Sequence, residues 1–115
     1  DNDVHSNKGA GGLVVRGATD VVVCENHVHE NESAGIVLLE GANPLLAKNR
    51  LIDNGAEGVK VTTGAKGRLE RNTIQGNKAA GILAEPDCHP TVGENFLTDN
   101  SGEKSEQPEA PVEAD

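Results

Sequence analysis

Apolar and polar positions alternate along this chain in short runs, and Asn, Gly, Asp and Glu fill the gaps between them. GIVL (35–38), PLLA (44–47) and RLI (50–52) make one set. GVKV (58–61), GRLE (67–70) and TIQ (73–75) make the next, followed by GILA (81–84), PTVG (90–93) and FLT (96–98). Alternation with period two between turn residues predicts strands, three to a set.

The sets recur at a fixed interval. Asn2, Asn26, Asn49, Asn72 and Asn95 are spaced by 24, 23, 23 and 23 residues, and Asn7, Asn31, Asn54, Asn77 and Asn100 follow each of them by five. Of eleven asparagines, Asn43 alone falls outside these two columns. Gly35, Gly58 and Gly81 recur four residues after the second Asn, each before an aliphatic residue; the first repeat has Gly12 and Leu13, displaced by one inserted residue in its KGAGG loop. The interval is shorter than helical repeats need, and the alternating leucines of leucine-rich repeats are missing. The expected fold is all-β: a single-stranded, right-handed parallel β-helix, a solenoid of about four 23-residue coils over residues 1–100. Coils stack at about 4.8 Å, so equivalent residues form columns. The inward columns are Leu13, Ile36, Val59 and Ile82; Val15, Leu38, Val61 and Ala84; Val23, Leu46, Leu69 and Val92; and Val4, Val28, Leu51, Ile74 and Leu97. The asparagines are expected to form ladders at the turns, donating and accepting along the column and taking up the left-handed backbone of tight bends. Glycine is expected where a Cβ would obstruct the corner.

The outward columns carry the candidate chemistry. Val14, Val37, Lys60 and Leu83 form a mostly apolar column without an acid. It is the candidate interaction face, or it lies beneath another part of a larger protein. Acid–base hydrolysis of glycosides needs two carboxylates about 5 to 9.5 Å apart, and no convincing pair shares one face. Glu30, Asp53 and Asp99 share a turn column and read as solvated acids; Glu25, Lys48, Arg71 and Glu94 share another and read as structural charge pairs. His5 and His29 share a column, with His27 two residues away on the same side. Such imidazoles can ligate zinc, but the plainer reading is a surface cluster, so neither metal nor cofactor is expected. Cys88 and His89, in EPDCHP (85–90), lie on another edge.

Composition narrows the classes. One domain fits in 115 residues. A net charge of −9 argues against a phosphate-backbone partner, and Phe96, the one aromatic, leaves little for stacking on bases or sugars. No apolar run is long enough for a membrane helix and no signal peptide is evident. Cys24 and Cys88 are too few for a disulfide framework, which fits reduced thiols and an intracellular setting. The segment 101–115, with two prolines and an excess of acid, breaks the period and is expected to be a disordered acidic tail. Asp1 falls inside a repeat, as in a fragment or processed product.

The stretches AGIVLLEGANPLLAKNRLIDN (34–54) and EGVKVTTGAKGRLERNTIQGN (57–77), with their EGANP and VTTG turns, resemble the parallel β-helix repeats of the CASH type. They look closest to the arrays in F-box proteins. That resemblance covers residues 1–100 and implies a non-catalytic module for protein–protein interaction. It would recognise substrates for a cullin-type ubiquitin ligase or serve a related scaffold, with no catalytic residues to carry over. The alternative is a carbohydrate-binding or polysaccharide-active, pectate-lyase-like β-helix. Strand edges at both ends of the stack also lead to an expectation of marginal stability or end-to-end self-association in the isolated chain.

Overall fold

The computed structural model describes residues 2–9, 11–17 and 21–101; the tail beyond residue 101 lies outside the described residues. The strands are short, as the alternation predicts. In chain order they are β1 Asp3–His5, β2 Gly11–Arg16, β3 Val22–Cys24, β4 His27–His29, β5 Ala34–Leu39, β6 Leu45–Ala47, β7 Arg50–Ile52, β8 Val59–Val61, β9 Arg68–Glu70, β10 Thr73–Gln75, β11 Ile82–Ala84, β12 Thr91–Val92 and β13 Phe96–Thr98. They form three parallel sheets. Sheet 1 runs β2-β5-β8-β11, sheet 2 runs β3-β6-β9-β12, and sheet 3 runs β1-β4-β7-β10-β13. Each strand pairs with its equivalent one coil away, so the sheet register is the repeat register: Leu13↔Ile36↔Val59↔Ile82 in sheet 1, and Val28↔Leu51↔Ile74↔Leu97 in sheet 3.

The core is the stack of inward columns. Ile36, Leu38, Leu46, Leu51, Val59, Val61, Leu69 and Ile74 have no exposed surface, and Val4, Leu13, Val92 and Leu97 pack against them from the two ends. Each fully buried Leu or Ile contributes about 1.5–3 kcal/mol. Because every coil contributes one apolar residue to each column, this energy accrues between neighbouring coils.

The asparagine ladders are formed. Asn49 Nδ2 donates to Asn72 Oδ1 at 3.0 Å and to the Val23 carbonyl at 2.9 Å. Its Oδ1 accepts the Asn26 backbone N–H at 3.0 Å and Asn26 Nδ2 at 3.2 Å. Two donors and two lone pairs are thus all used, which is what allows Asn49 and Asn54 to be completely buried. The second column repeats the pattern through Asn31, Asn54, Asn77 and Asn100.

The left-handed bend falls elsewhere than expected. No ladder asparagine among the described residues has a positive φ. The preceding residue does, except Glu94 before Asn95: Glu25, Lys48 and Arg71 in one corner, and Ser6, Glu30, Asp53, Gly76 and Asp99 in another. The chain turns one step early, leaving each Asn to point inward and stack. Glycine does serve clearance. A Cβ on Gly35 would stand 2.8 Å from the Gly58 carbonyl and 2.9 Å from Asn54 Nδ2.

Candidate functional site

On sheet 1, the column Val14↔Val37↔Lys60↔Leu83 is in register as the spacing implies. Its exposure is uneven. Val14 is 41% exposed, Lys60 and Leu83 are half-buried, and Val37 is buried. Val37 lies between Val14 and Lys60, and a Cβ on Gly11, at the start of β2, would stand 2.8 Å from its Cγ2, so the first coil packs against it. The accessible part of this face is therefore Val14, Lys60 and Leu83 on a floor that includes Val37. Two more apolar side chains are exposed on other sheets, Val22 on sheet 2 and Phe96 on sheet 3.

The acids sit at corners. Glu30, Asp53 and Asp99 are exposed in the bend after sheet 3, and Asp53 Oδ1 occupies the space above Gly76, 2.3 Å from where a Cβ would be. In the charge column, Arg71 Nε meets Glu94 Oε1 at 3.4 Å, with both side chains mostly exposed. A pair of this kind contributes at most about 1 kcal/mol. Glu85 bridges a corner by accepting the Thr63 N–H at 3.3 Å; hydrogen bonding from Thr62 and from the Thr63 backbone holds its carboxyl below the usual range. Cys24 is exposed, Cys88 is buried, and no disulfide joins them.

The histidines gather on the outer face of sheet 3, at the first two coils. The register sets Asp3 beside His27 and His5 beside His29. The His5 and His29 ring centroids are 5.0 Å apart and those of His27 and His29 4.1 Å apart, both pairs stacked. His29 Nε2 donates to Asp3 Oδ1 at 2.7 Å, while its Nδ1 lies 3.5 Å from Glu30 Oε1. His5 Nδ1 is hydrogen-bonded to Ser6 Oγ at 2.9 Å. Asp3, His27 and His29 each offer a ligand atom, all within 4.8 Å of one another. The hydrogen bond from His29 holds the Asp3 carboxyl below its usual value. Burial lowers the His27 pKa, and the nearby charges of His29 and Arg50 lower it further. Beside the cluster opens a groove of about 420 Å³ lined by Asn2, Asp3, Glu25, Asn26, His27, Lys48 and Arg50.

The sequence profile described as the right handed beta helix region matches residues 1–103. The chain belongs to this right-handed β-helix family. No curated protein and no solved structure matches it.

Within this β-helix, reading the columns from the sequence brought His5, His27 and His29 together correctly and kept Cys88 and His89 on a different corner. Asp3 was missed. The signal was available, because Asp3 follows Asn2 as His27 follows Asn26, so the Asn column alone sets the two side by side. The Glu85, Asp87 and Cys88 ligand atoms also lie within 4.8 Å of one another at their own corner, with the two acids exposed.

Proposed function

We propose that this β-helix is a non-catalytic interaction module and that it binds a protein partner through the outer face of sheet 1. The observation that carries this reading is the column of Val14, Lys60 and Leu83, which places two apolar side chains and a cation on one flat, in-register surface. A flat face with spaced anchors suits the extended contact of a protein surface better than the enclosure of a small ligand. The exposed acids stand at corners, with Glu40 and Glu85 at the end of this sheet. The likeness of residues 34–54 and 57–77 to F-box β-helix arrays supports a more specific form: recognition of a substrate for a cullin-type ubiquitin ligase, in an intracellular setting.

The test is affinity capture from a cell lysate with the chain as bait beside Val14→Asp and Lys60→Glu variants, each shown to be folded by circular dichroism. Both residues keep exposed surface, whereas Val37→Asp would bury a charge and unfold the coil. The expected outcome is a protein retained by the parent chain and by a Phe96→Ala control on sheet 3, and lost from both sheet 1 variants. Identical captures by all four proteins would refute this face. Saturable binding on a glycan array would favour a carbohydrate-binding β-helix instead.

A further inference from the structure

We propose that Asp3, His27 and His29 form a binding site for a divalent transition metal ion of the zinc class on the outer face of sheet 3. Outward side chains at i and i+2 on one strand, and those beside them on the next, point to the same side of a sheet. The first two coils fill such a square with four ligand-capable residues: Asp3 and His5 on β1, His27 and His29 on β4. Three of them already hold their ligand atoms within 4.8 Å of one another. Around a tetrahedral zinc with bonds near 2.0–2.1 Å, ligand atoms stand about 3.3 Å apart. Asp3 Oδ1 and His29 Nε2 are closer than that at 2.7 Å, and the remaining distances close by rotation of side chains that lie on an open face.

The chemistry of the donors fits a borderline metal. Two imidazoles and one carboxylate are a ligand set that zinc accepts, with a further position left for water or another side chain. On binding, the ion takes the place of the proton on His29 Nε2; an imidazolium releases that proton to solvent, and a neutral ring carries it on Nδ1 instead, facing Glu30. Glu30, 3.5 Å from His29 Nδ1, supplies a second negative group that orients the ring. His5 stands at the remaining side of the square, its ring centroid 5.0 Å from that of His29. The charge of Arg50, the register neighbour of His27 on β7, opposes the ion.

The site is tested by titrating the whole chain with zinc chloride in a calorimeter, and separately with cobalt(II) followed by visible absorption. One equivalent of zinc is expected to bind. His27→Ala and His29→Ala each weaken it at least tenfold, His5→Ala weakens it less, and Arg50→Gln tightens it. The cobalt spectrum should show ligand-field bands of nitrogen and oxygen donors without a thiolate charge-transfer band. Unchanged affinity in folded His27→Ala and His29→Ala proteins would overturn the site. So would a thiolate band, which would assign the metal to Cys24 or Cys88.

Discussion

An asparagine side chain can lie wholly inside this protein because its neighbours one coil up and one coil down are also asparagines. The Asn72 side chain makes four hydrogen bonds, three of them with asparagines. Its Nδ2 donates to Asn95 Oδ1 at 2.9 Å and to the Leu46 carbonyl at 3.0 Å, and its Oδ1 accepts the Asn49 N–H at 2.9 Å and Asn49 Nδ2 at 3.0 Å. Truncation takes a partner from each of these buried groups, although Asn49 Nδ2 keeps the Val23 carbonyl and Asn95 Oδ1 keeps the Asn72 N–H. Asn72→Ala should therefore cost about 3 kcal/mol or more, since each buried polar group left unpaired costs roughly 1–3 kcal/mol. Asn100→Ala, in a half-buried terminal rung where water can replace the lost bonds, should cost about 1 kcal/mol. Urea denaturation of both variants measures the difference, and equal losses would mean that the ladder is not what holds the interior coils. The ladder was legible in the sequence because its spacing is almost invariant. The left-handed bends were not. They fall on Glu25, Lys48, Arg71, Glu30 and Asp53, mostly residue types with no strong preference for that conformation. They take it because the corner bends tightly there, as it does at Glu40 and Thr63, which have no adjacent Asn.

At the level of strands and corners, the repeat asks glycine to do two different things. Gly58 opens sheet 1 in its coil with no room beside it: a Cβ there would meet Ile74 Cγ2 at 2.5 Å and the Gly81 carbonyl at 2.8 Å. Gly64 sits at a corner with φ near +73° and nothing within 4 Å of the added atom. Gly58→Ala forces a coil apart from its neighbour and should cost about 2–3 kcal/mol, the upper range of overpacking. Gly64→Ala meets only the backbone preference and should cost about 1 kcal/mol. A shift in urea midpoint for Gly64→Ala as large as that for Gly58→Ala would show that conformation, not contact between coils, governs both. Strand positions and faces were readable because alternation with period two is a local signal. The burial of Val37 was not, because it depends on the close approach of Gly11 on β2, one coil away. The spacing thus set Val14, Val37, Lys60 and Leu83 in register on sheet 1 but overstated the exposure of Val37. The histidine cluster was visible as a column while its carboxylate was overlooked.

On the scale of the molecule, the ladders have a direction. Every rung sends its backbone N–H and its Nδ2–H toward Oδ1 of the following coil, from Asn2 to Asn26 and from Asn7 to Asn31 onward. Among the described residues, the first coil therefore presents Asn2 and Asn7 Oδ1 as acceptors, and the last presents strand edges of β11, β12 and β13 beside the Asn100 rung. The two ends are unlike: Asn95 turns its N–H back to the Gly93 carbonyl, which leaves the Asn100 rung and the strand edges to meet the acceptors of another molecule. A contact that joins the end of one molecule to the start of the next is heterologous, and it can add coils without closing. The 115-residue chain in isolation is accordingly expected to associate end to end, its weight-average mass rising with concentration in sedimentation velocity. Asn2→Lys and Asn7→Lys together replace both acceptors with cations, the device that natural edge strands use against pairing. They lie in an exposed terminal rung, so the fold should survive while association is lost. If the parent chain stays at monomer mass across the dilution series with a melting temperature independent of concentration, its ends are satisfied within the molecule and the directional ladder does not drive assembly.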